Sequence, residues 1–335
     1  MKISTFYFFP HKGKPVKLAS TEEASQYLKK NGFVWLDFND PTLEQLHPLI
    51  ELFGIHPLSV EDCLDDNQIP KMDTFANYSF NLFNHFTYKN QMVAIEEIDI
   101  ILGGNFLITV HGHLAENTEF FSNLDNFVAK QESEISRGPD YLMHVILDFI
   151  VDKKFEVIEQ LQNEIDLAEE TVINTPEKFK PEQLMHLRGC LVTLRKSLFY
   201  EREVLTKICR KDCPFISEKS IYYYRDVYDH LAKFFEFIEI NREMIANLME
   251  LHLSMRSNQM ALMSQQTNET VKRLTVITTI FMPLTLLSGI GGMSEWSMIT
   301  GPENWKIAYP LFLLGMVFIA VINYLLLKWS HWIDQ

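Results

Sequence analysis

Stepping from Glu250 in alternating threes and fours, the chain reads Glu250, Ser254, Ser257, Ala261, Ser264, Asn268, Val271, Thr275, Thr278, Met282, Thr285 and Gly289. Such steps keep one face of a helix in view. That face is small or hydroxylated nearly throughout, where a coiled-coil seam would place Leu, Ile or Val. Upstream, Asp229, Glu236, Glu243 and Glu250 continue one of its rows at a strict heptad spacing. Leu262, Leu274, Ile277, Ile280, Phe281 and Leu284 flank it. Two readings fit the pattern. Polar groups on an apolar helix face a water-filled cavity, or small residues line a close-packed helix interface. Periodicity weighs them equally.

Other chemistry-bearing residues give weaker signals. The run "FEVIEQLQNEIDLAEE" is rich in carboxylates, but such runs are usually solvated helix faces. "VEDCLDDNQIPK" (Val60–Lys71) clusters acids in what reads as a capped turn rather than a metal site. Cys63, Cys190, Cys209 and Cys213 complete no zinc spacing and read as free thiols of a reducing compartment. No nucleophile–base set or phosphate loop is present, so an enzyme is disfavoured. A net charge of −14 argues against nucleic acid as a partner and suits a protein that concentrates cations.

The elements that carry these residues follow from composition. The chain is 22% charged and 47% hydrophobic, which averages to the profile of a soluble protein. Its last seventy or so residues depart from that average. Leu274–Ser294 and Ile307–Leu327 are uncharged, and roughly 20 apolar residues suffice for a helix to cross a bilayer core. Lys272 and Arg273 precede the first run, Lys328 follows the second, and the link holds Glu295, Glu303 and Lys306. Basic residues stay cytoplasmic, so both termini are placed inside and the link outside. Trp296, Trp305, Trp329 and Trp332 read as interfacial anchors. The start, "MKISTFYFFPHKGKP", does not read as a signal peptide, which places the first 270 or so residues in the cytoplasm.

Upstream, "FVWLDF" (Phe33–Phe38) and "NFLITVHG" (Asn105–Gly112) read as strands, and Tyr78–Tyr88 with Met92–Leu102 as a hairpin around Lys89–Asn90. "DPTLEQLHPLIELFG" reads as one helix capped by Asp40, with Pro41 in its first turn and Gly54 at its end. Asn174-Thr175-Pro176 divides a charged helical region into two arms, read as an antiparallel pair. From Ser217 to Ser288 the sequence has no glycine, and no proline except Pro283, which predicts a single helix running into the first span. Helical stability comes mostly from packing, so a helix of that length is expected to associate. The divisions are an α+β domain (1–115), helical arms (116–216), a stalk helix (217–273), a first span (274–294), an external loop (295–306), a second span (307–328) and a tail (329–335).

"TNETVKRLTVITTIFMPLTLLSGIGGM" (Thr267–Met293), "NWKIAYPL" (Asn304–Leu311), "VWLDFNDPTLEQLHPLIELFGIHPLSVEDCLDDNQIPKM" and "YRDVYDH" (Tyr224–His230) together resemble the CorA family of divalent-cation channels, from end to end. The resemblance implies a homopentamer in the cell's inner (plasma) membrane. Each subunit would have a cytoplasmic α/β/α sandwich, a stalk helix that continues as the pore-lining first span, and a second span outside it. The family closes its first span with Gly-Met-Asn, usually after Tyr. Here Gly291 takes the Tyr position and Gly292, Met293 and Ser294 follow, so the asparagine is absent.

The resemblance also implies roles. Gly291, Gly292, Met293 and Ser294, with Glu295 beside them, would form the outer mouth, where backbone and serine oxygens hold a hydrated ion; hard cations such as Mg²⁺ prefer oxygen and keep most of their waters. Gly289, Thr285, Thr278 and Asn268 would be polar lining, and Val271, Leu274 and Met282 hydrophobic constrictions that gate by dewetting. Mg²⁺ held between neighbouring cytoplasmic domains would close the pore. Glu236 would supply one carboxylate, with Glu96 and Glu97 as candidates for its partner. The family's basic cluster after the second span is reduced to Lys328. The expected function is conduction of hydrated divalent cations, Mg²⁺ first and Co²⁺ or Ni²⁺ second. The alternatives are Zn²⁺ transport on the same fold, or a membrane-tethered metal-sensing scaffold.

Overall fold

A computed structural model describes residues 4–65, 68–112, 132–293, 301 and 304–329. They fall in two compact units, Met1–Glu250 and Leu251–Gln335. The first unit is built on a mixed sheet of seven strands: β1 (Thr5–Pro10), β2 (Val16–Leu18), β3 (Gly32–Asn39), β4 (Met72–Thr74), β5 (Tyr78–Lys89), β6 (Met92–Gly103) and β7 (Phe106–His111). Their order is β2-β1-β3-β7-β6-β5-β4, and β3 with β7 is the parallel pair. The 12-residue strands β5 and β6 form the expected hairpin. Its turn falls at Asn90–Gln91, both with positive φ (52° and 63°), one residue later than the sequence suggested. That backbone matches the twist of a tight hairpin.

Alternation gives the sheet two buried faces. Val34, Leu36, Phe38, Ile108 and Val110 point to one side, into a core closed by the helices α1 (Thr21–Tyr27), α2 (Leu43–Leu46), α3 (Pro48–Phe53) and α4 (Pro57–Asp62). The alternate residues, among them Trp35, Leu107 and Ile100, are buried on the other side. There α6 (Pro139–Asn174) packs on β3, β5, β6 and β7, and α7 (Pro181–Cys209) packs on β5 and β6; a short helix α5 (Glu132–Ile135) precedes them. The layering is helix, sheet, helix.

Two local expectations are corrected. Asp40 does not cap a helix. It sits in the left-handed region (φ 51°), and its N–H donates to the His111 carbonyl at the end of β7 (2.7 Å). The cap is Thr42, whose N–H donates to the Gln45 side chain (2.9 Å), an exchange typical of capping boxes. The expected single helix is also two, because Pro48 lacks the N–H that would continue α2. Gly54 ends α3 in the left-handed conformation as expected.

The arms α6 and α7 are joined at residues 175–180 and are clamped to β5 by a buried charge pair. The Lys154 ammonium donates to the Glu201 carboxylate, and both are fully buried. Glu201 also accepts the Asn84 N–H (2.9 Å), the Asn84 amide donates to Ser197 Oγ (2.6 Å), and Lys154 lies over the Phe86 ring. Burial pushes the Lys154 pKa down, and Glu201 opposes it. His85, on the same strand, is held down at about 3 by burial and by Lys154 and Lys153.

The second arm leads to α8 (Ile221–Gly291), 71 residues long and therefore roughly 106 Å at 1.5 Å per residue. Its start is tied to the start of α6. Asp140 accepts from the Ser217 N–H (3.0 Å) and Ser220 Oγ (2.7 Å), and Tyr224 donates to the Asp140 carbonyl (2.6 Å). Within the first unit, Tyr224, Val227, Leu231, Ile238, Ile245 and Leu248 form its buried stripe. Glu239 pairs with Arg195 of α7 and with Arg242, and these contacts, Arg195 first, hold its carboxyl below the usual range.

Removing one member of a buried pair leaves an uncompensated charge. Glu201→Ala is expected to destabilise the first unit by about 3–5 kcal/mol, whereas Lys154→Met with Glu201→Leu should cost far less. Thermal melting of the full chain in detergent checks this; equal losses for the single and double variants would contradict it.

Candidate ion pathway

Among the described residues two helices are long and apolar enough to cross a membrane, α8 and α9 (Trp305–Trp329). The second unit contains the end of the first and all of the second. Along α8 the polar face found in the sequence is exposed at Ser254, Ser257, Ala261, Ser264, Asn268, Val271, Thr278, Met282, Thr285 and Gly289, and partly so at Thr275. Leu274 is exposed beside it. The structure gathers Thr278, Met282, Thr285, Gly289 and Met293 along one open groove of about 780 Å³, with Ile277, Phe281, Leu286 and Ile290 on its walls.

The threonines are oriented by the backbone. Thr275 donates its hydroxyl to the Val271 carbonyl (2.8 Å), Thr278 to Leu274 (2.8 Å) and Thr285 to Phe281 (2.9 Å). A hydroxyl has one donor and two acceptor lone pairs. With the donor used four residues back, the oxygen keeps its acceptor capacity for the groove. Such a row suits the outward-pointing hydrogens of a cation's hydration shell.

The glycines divide by face. A Cβ built at Gly289 would meet nothing within 4 Å, so this position is open. At Gly291, two residues on and on the opposite side of the helix, a Cβ would lie 2.6 Å from Cζ of Phe312 on α9. The second span thus contacts α8 behind the polar face, and the Gly289 row is left open. Gly292 would meet only backbone oxygens of its own helix, Ser288 at 3.4 Å and Gly289 at 3.6 Å. Ser294 and Glu295, the rest of the expected mouth, lie outside the described residues, as do Trp296, Glu303 and Trp332.

Of the expected regulatory carboxylates, Glu236 is exposed, and so are Asp229, Glu243 and Glu250 of the same row. Glu96 and Glu97 are differently placed. Glu96 is 3% exposed and accepts the Gly112 N–H (2.9 Å); Glu97 is 8% exposed and accepts the Gln68 N–H (2.5 Å). Adjacent on β6, they point into opposite faces of the sheet. Both acids are therefore engaged within their own chain. The four cysteines are free thiols, three of them buried. Among the described residues no group of three or more His, Cys, Asp or Glu is placed to hold a metal ion.

Sequence reasoning missed two features. The buried pair had a signal: Lys154 interrupts the apolar row Ile150, Ile158, Leu161. Phe312 had none, being one of many apolar residues of the second span.

Comparison with known proteins agrees with this architecture. The family model described as CorA-like Mg²⁺ transporter protein matches residues 30–328. The chain is 36% identical to the cobalt/magnesium transport protein CorA of Thermotoga maritima over 287 residues, which is 84% of this chain and 78% of that protein. Its fold superposes on the complete structure of the CorA magnesium transporter from Methanocaldococcus jannaschii with a TM-score of 0.71 at 22% identity, covering 99% of each chain. It also superposes on the cytoplasmic domain of ZntB from Vibrio parahaemolyticus with a TM-score of 0.62 at 11% identity, covering 77% of this chain and all of that one. At those identities the superpositions speak for the fold. The family is one of transporters rather than enzymes, and by the match along most of its length this chain belongs to the CorA-like Mg²⁺ transporter family.

Proposed function

We propose that the chain forms a membrane pathway for hydrated divalent cations, Mg²⁺ first with Co²⁺ or Ni²⁺ as secondary ions, assembled as a homopentamer in the cell's inner membrane with both termini cytoplasmic. The observation that carries this reading is the open face of α8. Its threonine hydroxyls spend their protons on the preceding turn and keep their oxygen lone pairs as acceptors, and α9 contacts the helix from behind at Gly291. A polar row that the second span does not cover needs another environment, and water enclosed by copies of the same helix supplies it. Thr278, Thr285, Gly289 and Asn268 accept hydrogen bonds from the ion's waters, so the ion passes without losing its shell. Val271, Leu274 and Met282 narrow the path and close it by dewetting. Carbonyls of Gly291, Gly292 and Met293, with Ser294 and Glu295, attract the ion at the outer end.

Closure is assigned to Mg²⁺ held at the stalk of neighbouring subunits. The exposed row Asp229, Glu236, Glu243 and Glu250 supports this, since carboxylates brought together by assembly repel unless a cation lies between them. With Glu96 and Glu97 buried, Glu236 is the residue of this proposal.

Three outcomes are expected. Purified protein in liposomes should pass Mg²⁺, and Thr278→Val with Thr285→Val should lower that flux by about tenfold, the effect of roughly 1.4 kcal/mol; the matching serine variants should retain it. Flux unaffected by valine would refute the lining role. Glu236→Ala should raise the cytoplasmic Mg²⁺ needed for closure, and an unchanged inhibition curve would refute that assignment. Native mass spectrometry in detergent should show a pentamer as the main species; a stable dimer would contradict the assembly.

A further inference from the structure

The glycine at 291 is under a neighbour, unlike the others at the span exit. Its Cβ would lie 2.6 Å from Cζ of Phe312, 3.0 Å from Cε1 and 3.2 Å from Cε2, so the tip of the ring is seated on the bare backbone. Gly291 is helical and has no positive φ. It is therefore needed for close approach rather than for its backbone freedom. Small residues permit such approach between helices in a bilayer, where packing supplies much of the association energy. Gly289 faces the opposite way and is open. The last turn of α8 thus has one face toward the groove and its back against an aromatic ring.

The geometry points to Phe312 as a positioning residue for the ion pathway: seated on Gly291, it sets where the outer end of α8 stands and so the width of the mouth. This rests on the transport reading above. A side chain added at 291 has two ways out. It pushes the end of α8 away from α9, toward its open face, or it turns the Phe312 ring off its seat. Shortening Phe312 instead leaves the helix end without its stop, and the mouth becomes looser. Shortening Phe312 makes room for a side chain added at 291, so the two positions are coupled.

The test uses the full chain with Gly291→Ala, Phe312→Ala and the double variant, with Phe312→Leu as a milder probe should the alanine variant fail to fold. Gly315→Ala is the control: it makes the same substitution on the second span, where the added Cβ meets nothing within 4 Å. Liposome flux of Mg²⁺ and of Ca²⁺ and the thermal midpoint in detergent are read for each. Contacting residues show non-additive effects, so Gly291→Ala is expected to lower Mg²⁺ flux at least about fivefold, and the double variant to return to within about twofold of wild type. Phe312→Ala, or Phe312→Leu to a smaller degree, should lower the ratio of Mg²⁺ to Ca²⁺ flux by a similar factor, and Gly315→Ala should change nothing. Additive midpoints would overturn the seat whatever the flux shows. Coupled midpoints with unaltered flux and ion ratio would overturn its role at the mouth. Wild-type liposomes that pass no divalent ion would instead overturn the transport reading, and the role at the mouth with it, while the midpoints still judge the seat.

Discussion

A backbone inside a bilayer has no water to hydrogen-bond, so it must satisfy its own N–H and C=O groups. A single uninterrupted helix meets that demand, and α8 sustains one from Ile221 to Gly291. Pro283 is the one internal break in donor supply, withholding an N–H from the Thr279 carbonyl. Because the helix is continuous, the same periodicity operates along its whole length.

Within the first unit that helix is held by one stripe. Each buried Leu or Ile contributes about 1.5–3 kcal/mol relative to exposure, and Leu231, Ile238, Ile245 and Leu248 lie inward. Asp140 and Tyr224 fix where the helix begins, and Arg195 with Glu239 ties it to α7. The face opposite is left to carboxylates. In the second unit the division repeats with other chemistry. Gly291 gives its back to Phe312, while Gly289, Thr285 and Thr278 stay open. Threonine suits this position because its hydroxyl proton can be spent on the preceding turn, which leaves oxygen lone pairs as acceptors without an unsatisfied donor.

The buried polar groups of the first unit show the cost of a mixed sheet enclosed on both faces. Glu96, Glu97 and Glu201 are removed from water and each accepts from a backbone or side-chain donor, while the buried Asn84 donates its N–H to Glu201 and its amide to Ser197. Burial of such groups is tolerated where their hydrogen bonds are made. Glu96 and Glu97, candidates by their sequence, are buried within the chain. Alternation along β6 becomes ambiguous when both faces are covered, so adjacent acids on a strand carry no mark of exposure.

By itself the sequence determined what is local and periodic. The continuity of α8, its polar stripe, the two apolar spans, the long hairpin and the break between the arms follow from spacing and from the placement of Gly and Pro. Hydrogen bonding within a helix or across a tight turn depends on near neighbours. Tertiary structure decided what depends on residues far apart in the chain. It tied Asp40 to His111 and so moved the helix cap to Thr42. It joined Lys154 to Glu201 and buried Glu96 and Glu97. It also set Phe312 on Gly291 and thereby showed which face of the first span is open. In each case the deciding quantity is the space between two elements, and residue spacing along one element does not encode the volume left beside another.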